Sequence, residues 1–516
     1  MDLHMHSYYS DDGEFSPGEL VRQCGMNGIR IMSIADHNSV RANEAGRQAA
    51  LRAGITYVSG IEIDCTFRGV NLHVLGYGID DTSHDFTCIE DNIRSQAAAA
   101  SSQMLCATRE MGFEVTNIDN YAGHAEFGTG EHMSAVLAHV DVVPAGDGWD
   151  SDPFTLTRKG DLLFGRGVLD DKGAALMALY CLKALKDADV VPKRRLRVIF
   201  GAGEEVGMDD LRVYFRQEPL PDKAFTPDSD YGICNREKGI LQFSLHAAEN
   251  NAKIVRQFQG GTVINAVPSS AQADICCTKQ DIVLLKQACE HVKGNFTFTE
   301  NEGGVVIHSQ GKASHAMQPE EGFNAVTHLA ALLFQVFTPE QLGDILTFIH
   351  EQIHTQCNGE LLGIAQTDEP SGALTCNVGK VEIFQQKAVV SIDIRYPVTS
   401  DGNGIMEHIQ SKASQYHLSF HLHHLNLPLY MEEHAPFISL LKQAYQTATG
   451  KEANLYATGG GTYARTVQGH CVAFGPLFED EPNRNMHDAN EHIDIKRFMK
   501  HGEICLQAMY DMIMEP

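Results

Sequence analysis

Short apolar runs separated by amphipathic stretches set the pattern of the first 95 residues. IRIMSIADH (29–37) and ITYVSGIEI (55–63) read as strands, and VRANEAGRQAALRAG (40–54) between them reads as a helix. Alternation of that kind predicts a parallel sheet with crossover helices. A second α/β pattern follows. MSAVLAHVDVV (133–143) and LRVIFGAG (196–203) predict buried strands, and KGAALMALYCLKALKDA (172–188), apolar on nearly all sides, predicts a buried helix. From about 238 to 430 the texture changes. AVVSIDIRYP (388–397) alternates as a half-exposed antiparallel strand does, among helices such as NAVTHLAALLFQVF (324–337). Helix–strand alternation returns after about 431. The pattern therefore predicts an N-terminal segment (1–95), a discontinuous α/β domain (96–237 and 431–516) and an inserted α+β domain (238–430).

Composition narrows the function. With 67 acidic against 40 basic residues the formal charge is −27, which repels nucleic acid and anionic lipid. No apolar run reaches the roughly 18 residues a membrane span needs. The start, MDLHMHSYYSDDGE, lacks a basic region followed by an apolar stretch, so no secretory signal is expected. The 13 cysteines include no C-x-x-C and are expected as reduced thiols in the cytoplasm.

Candidate chemistry gathers where strands should end, which is where open α/β sheets place their sites. His139 and Asp141 form H-x-D at one strand end and share a face. GRGVLDDKG (165–173) puts Asp170 and Asp171 at the mouth of the long helix. Glu204 and Glu205 follow the next strand, Asp228 sits in FTPDSD (225–230), and His487 comes from NMHDANEHI (485–493). Two histidines and several carboxylates suit zinc, cobalt or manganese better than a thiolate site would. The adjacent glutamates pose the main question, since like charges that close repel and lose hydration in a cleft.

The motifs GHAEFG, HVDVVPAGDGWDSDPF, GRGVLDDKG, GAGEEVG and TPDSDYGICNREKG, continued by INAVP, GKASHAMQPEEGFNA, DIRYP and ATGGGTYAR, carry a resemblance. From about residue 104 to 516 the chain resembles the dipeptidase V branch of the aminoacylase, carboxypeptidase G and succinyl-diaminopimelate desuccinylase metallopeptidases (clan MH). That resemblance implies a two-metal exopeptidase domain, a mixed sheet with flanking helices, and an inserted α+β lid. It implies two divalent ions, zinc first with manganese or cobalt as alternatives. His139 and Asp228 would hold one ion, Glu205 and His487 the other, and Asp170 both. Glu204 would be the general base, Asp141 would orient His139, and the Asp170–Asp171 peptide would be cis. In the lid, His315 would stabilise an oxyanion. Asn265, Arg395, Gly460 and Gly461 would contact substrate, Arg395 through the peptide's C-terminal carboxylate. The implied activity is hydrolysis of dipeptides by a monomer, with deacylation of N-acyl amino acids as the alternative.

MDLHMHSYYSDDG, SIADHNS, GIEI and LHVLGYGID resemble the start of a polymerase-and-histidinol-phosphatase (PHP) domain. The matching ligands are His4, His6, Asp11, His37, Glu62 and His73. The resemblance stops near residue 95, before the later ligands of that fold, and the peptidase pattern begins without its usual first helices. A partial β/α segment with at most weak metal binding, and no efficient phosphoester hydrolysis, is expected. The remaining alternatives are a PHP-type phosphoesterase and a catalytically impaired fusion.

Overall fold

The run at 195–201 becomes the strand Arg195–Gly201, buried in all but its first residue. It is covered because it is flanked on both sides. Met133–His139 lies parallel to it, Val198 opposite Val136, and Ala122–Phe127 lies antiparallel. Lys223–Thr226 runs parallel to Met133–His139, and Cys471–Ala473 parallel to Lys223–Thr226. The hairpin partner Val115–Ile118 closes the antiparallel edge. The computed structural model describes residues 1–516 except 8, 11–14, 68–69, 84, 87–103, 120, 144, 147 and 516, with backbone alone for 64–67 and 70–72.

Helix Lys172–Asp187 turns Ala174, Ala175, Ala178, Leu179, Leu182 and Leu185 inward. It is less enclosed than its composition predicts, for Leu176 and Tyr180 are 40% and 53% exposed. The reason is that its partners lie on one side. Helix Ile495–Met514 packs so closely that a Cβ on Gly502 would collide with Met177, and Cys181 Sγ lies 3.5 Å from the Gly502 carbonyl. Residues 104–110 are helical, and Leu105 and Phe113 are buried beside the sheet, with Leu105 against Gly123.

The chain divides into two bodies: Met1–Ile233 with Glu433–Asn454 and Thr462–Pro516, and Cys234–Glu432 with Leu455–Gly461. Leu455–Gly461, expected in the α/β domain, goes with the second body. Lys238 N–H donates to the Thr458 carbonyl at 2.9 Å, and Arg395 to the Gly459 carbonyl at 2.8 Å.

The second body is built on an antiparallel sheet. Its order is Asn295–Asn301, Gly304–Gln310, Ser270–Cys276, Val255–Gly260, Thr375–Phe384, Lys387–Tyr396, Gly239–Ala247 and Leu418–Asn426. Along Lys387–Tyr396, Ala388, Val390, Ile392 and Ile394 enter the core at period two, as the alternation predicts. Helices Lys279–Ala288, Ala325–Leu333 and Gly402–Gln415 supply the facing apolar side chains.

The N-terminal segment forms the expected parallel sheet, Asp2–Met5, Ile31–Ile34 and Thr56–Tyr57, joined by helices Pro17–Met26 and Ala42–Ala53. Its core is small: Leu20, Val21, Cys24, Met32, Ile34, Ala42, Ala50 and Ile55. The hairpin Gly60–Phe67 and Val70–Tyr77 follows. Among the described residues, no helix is long and apolar enough to cross a membrane.

Candidate active site

Met133–His139, Arg195–Gly201 and Lys223–Thr226 run parallel, so their C-terminal ends open at the same edge of the sheet. That edge is where His139, the Glu204–Glu205 turn and Asp228 emerge. Asp170 arrives from the loop before helix Lys172–Asp187, through a cis Asp170–Asp171 peptide. His487 arrives from the loop before Ile495–Met514, with a backbone φ of 60° in the left-handed region.

These side chains form two groups that share one carboxylate. His139, Asp170 and Asp228 make the first, Asp170, Glu205 and His487 the second, each with ligand atoms within 4.8 Å of one another. Asp170 turns Oδ1 to His139 Nε2 at 2.9 Å and Oδ2 to His487 Nε2 at 2.8 Å. Asp228 lies 3.9 Å from His139 Nε2, and Glu205 3.3 Å from His487 Nε2.

Asp141 does more than its expected task. Its carboxylate lies 3.4 Å from His139 Nδ1, and its own carbonyl 3.1 Å from the same nitrogen. The carboxylate also accepts the backbone N–H groups of Glu204 at 3.3 Å and Glu205 at 3.1 Å. One aspartate thus fixes both the imidazole and the acidic turn.

Glu491 was not read from the sequence. It is fully buried and accepts N–H bonds from Gly167 (3.0 Å), Leu169 (2.9 Å) and Asp170 (3.3 Å), together with the Arg166 guanidinium at 2.6 Å. It therefore clips the loop that carries His487 to the loop that carries Asp170. The signal was present as the buried-type partners of GRG and NEH, but a lone Glu and a lone Arg 325 positions apart carry no spacing rule.

Burial first, then the nearby Asp228 charge, pushes the Glu204 carboxyl well above the usual carboxylate range. Burial likewise raises Asp171. For Asp170 burial acts upward but is outweighed by hydrogen bonds from His139 and His487, which hold it low. Burial disfavours a charged His139, yet Asp141 and Asp170 raise its pKa well above the ordinary value. Asp170 and then Glu205 raise His487 to about 10. The centre thus attracts positive charge, and Glu205 Oε1 is buried without a hydrogen bond. Two imidazoles and three carboxylates, one of them the shared Asp170, fit a pair of divalent cations.

The other expected site residues lie in the second body. Asn265 and His315 are neighbours there: the Ala316 N–H donates to the Asn265 carbonyl at 2.9 Å, and His315 Nδ1 accepts the Met317 N–H at 3.1 Å. Arg395, expected to meet a substrate carboxylate, is 4% exposed and already forked onto Asp393 at 2.6 and 2.8 Å. With its bond to Gly459, three of the roughly five guanidinium donors are engaged within its own body. Gly460 N–H donates to Thr458 Oγ1 at 3.1 Å, so it too has a partner.

In the N-terminal segment Glu62 is nearly buried among four histidines. It lies 2.6 Å from His4, 3.0 Å from His6, 2.8 Å from His73 and 3.9 Å from His37. His4, His6 and Glu62 form one potential ligand group and His37, Glu62 and His73 another. Asp11 lies outside the described residues.

Residues 135–514 match Peptidase family M20/M25/M40, and residues 2–122 match the PHP domain. The first match spans well over half of the chain, and the chain belongs to this metal-dependent peptidase family. The PHP match runs beyond residue 95, the limit read from the motifs, although Val115–Ile118 and Ala122 are hydrogen-bonded into the sheet of Arg195–Gly201. A Bacillus subtilis (strain 168) protein named "Putative dipeptidase YtjP" is 34% identical over 423 residues, 80% of this chain and 90% of that one. A Staphylococcus haemolyticus (strain JCSC1435) protein named "Putative dipeptidase SH1171" is 32% identical over 416 residues, 78% and 88% of the two chains. Of solved structures, human carnosine dipeptidase 1 aligns with a TM-score of 0.49 at 13% identity, covering 82% of this chain and 92% of that one.

Proposed function

We propose that this member of peptidase family M20/M25/M40 is a cytoplasmic, monomeric dipeptidase that hydrolyses dipeptides bearing a free C-terminal carboxylate. The observation that carries the reading is the shared Asp170, one oxygen toward each histidine, with Glu204 on the adjacent turn that Asp141 holds. The dipeptidase names of the relatives agree with it. His139 and Asp228 would hold one divalent ion, Glu205 and His487 the other, and Asp170 both, with zinc preferred to manganese or cobalt for these donors. When bound, the ions supply Lewis-acid activation of water and of the scissile carbonyl.

The chain's own residues do the rest. Glu204 takes the proton from the attacking water and hands it to the departing amine, a task helped by a carboxylate made more basic than usual by burial and the nearby Asp228. Asp141 keeps His139 and the acidic turn in register. The motif resemblance assigns the oxyanion to His315, further substrate contacts to Asn265, Gly460 and Gly461, and the substrate carboxylate to the donors Arg395 does not spend on Asp393 and Gly459. The cluster around Glu62 is read as a weak metal binder without efficient phosphoesterase activity.

The test is turnover of dipeptides, a pentapeptide, an amidated dipeptide, N-acyl amino acids and phosphoesters by zinc-loaded protein. Fast cleavage of the free dipeptide alone supports the reading. Preference for the N-acyl amino acid would make the enzyme a deacylase, and turnover of phosphoesters alone would overturn the assignment of the active centre.

A further inference from the structure

Behind the Glu204–Glu205 turn lies a buried pair with no part in the chemistry above. Asp210, 3% exposed, opens the helix Asp209–Gln217. Its Oδ2 accepts the Gly203 N–H at 2.9 Å and the Tyr463 hydroxyl, and its Oδ1 accepts the Leu211 N–H at 2.8 Å. Tyr463 is fully buried, and its ring meets the His139 imidazole edge-on, with centroids 6.1 Å apart at 88°. There is no spare room. A Cβ on Gly201 would fall on the Tyr463 hydroxyl and the Asp210 carboxylate, and one on Gly203 would crowd Asp210.

Together with Asp141, this pair accounts for three consecutive backbone donors. Gly203 N–H ends on Asp210, and Glu204 and Glu205 N–H end on Asp141. Two adjacent carboxylates repel each other, and the turn that bears them is flanked by glycine on both sides, at Gly203 and Gly207. Glycine backbones yield readily. Beyond the turn the chain passes through left-handed Gly207 (φ 115°) and Met208 (φ 66°) to reach the helix that carries Asp210. The helix thus reaches back and holds the turn that precedes it.

We propose that Asp210 and Tyr463 are positioning residues for the hydrolytic centre. Asp210 fixes the height of the acidic turn. Tyr463 locks Asp210 with its hydroxyl and supports His139 with its ring, so the pair couples the base Glu204 and the ligand Glu205 to a ligand of the other group. The kinetic side of this proposal rests on the dipeptidase reading. Its geometric side does not.

Tyr463→Phe removes one hydroxyl and keeps the ring; Asp210→Asn keeps the shape but sets an amide N–H₂ against at least one donor. In the zinc-loaded full chain, Tyr463→Phe is expected to lower kcat about tenfold and Asp210→Asn about a hundredfold, with KM within about twofold, since displacing reacting groups by about 1 Å costs that much. A second readout is the visible spectrum of the cobalt(II)-loaded chain, in a His4→Ala, His6→Ala background so that the N-terminal histidines contribute little. Both variants should shift the cobalt bands at unchanged cobalt content. Wild-type kcat with wild-type bands in Tyr463→Phe overturns the proposal. So does a lower melting temperature with unchanged kcat per folded molecule and unchanged bands, for the pair would then be structural only. If the parent chain cleaves no dipeptide, the dipeptidase reading fails while the cobalt spectra still decide the positioning role.

Discussion

Glu62 and Asp170 hold the same place in two different clusters. Each is a nearly buried carboxylate, 4% and 7% exposed, set between histidines and held below the usual carboxylate range because hydrogen bonds from imidazoles outweigh the upward push of burial. Their surroundings differ. Asp170 stands beside Asp228, Glu205 and Glu204, whereas the described groups around Glu62 contain no second carboxylate. His139 is 1% exposed, while the side chains of His4 and His73 are 46% and 55% exposed. Imidazoles can ligate an ion, but they neither offset four positive charges nor serve as the carboxylate base for water. What separates a hydrolytic centre from a place that merely holds an ion is the surplus of carboxylates and the backbone clamps that keep them together.

The sharpest way to break that comparison is to remove the surplus one carboxylate at a time. Glu204→Gln should keep the metal content and lose about three orders of magnitude in kcat, since both proton transfers pass through that group. Glu205→Gln should instead lose bound metal. Metal analysis beside dipeptide turnover checks both. If the two variants behaved alike, with full metal and partial activity, the division of labour between the adjacent glutamates would be wrong.

Next in size is the clip between loops. Glu491→Gln removes the charge that faces the buried Arg166 guanidinium at 2.6 Å, and breaking a buried pair from one side costs about 3–5 kcal/mol. Because Glu491 also holds the N–H of Asp170, the loss should show as a lower melting temperature together with weaker zinc retention. A melting temperature that falls while zinc retention is unchanged would mean that the clip supports the fold and not the shared ligand.

The two regions also differ in how they spend histidine. All four histidines described in the N-terminal segment surround Glu62, whereas the catalytic body buries His501 behind its sheet, with Nδ1 2.8 Å from the Tyr231 hydroxyl. Burial lowers the pKa of His501 to about 3. The folded state then resists a proton that the unfolded chain accepts below about pH 6.5. Stability is therefore lost as pH falls from 6.5 toward 3, and the group costs nothing above 6.5. His501→Gln cannot charge, so between pH 6.5 and 4.5 it should lose about 2 kcal/mol less stability than the parent. Denaturant titrations at several pH values measure that slope, whatever the variant's stability at neutral pH.

The strands and their order of chemistry were legible because buried parallel strands announce themselves as apolar runs and because ligands follow their ends. Met133–His139 and Arg195–Gly201 are of this kind. The clamps were not legible. Asp210, Glu491 and Asp141's grip on the acidic turn depend on backbone N–H groups, which every residue but proline carries and no sequence pattern marks. The Asp393 grip on Arg395 was hidden for a related reason. The alternation along Lys387–Tyr396 gives its neighbour Asp393 the role of an ordinary strand residue, yet Asp393 is fully buried and occupies the guanidinium fork.

The smallest effect expected is the one on peptide hydrolysis when the N-terminal cluster is dismantled. His4→Ala with His6→Ala removes two of the four imidazoles described around Glu62 and dismantles the group His4, His6 and Glu62, which should weaken ion binding there. Some stability of the N-terminal segment should be lost, because the His6 side chain is 14% exposed, Glu62 is nearly buried, and a buried charge that loses partners is costly. Each ligand of the peptidase centre belongs to strands and loops after residue 122, and none of its clamps comes from the first three strands. Dipeptide turnover should therefore stay within about twofold of the parent while total bound metal falls toward the content of the peptidase centre alone. Loss of turnover with the peptidase metal and the melting temperature intact would show that the histidines around Glu62 serve the peptidase, and the contrast between an ion holder and a hydrolytic centre would have to be abandoned.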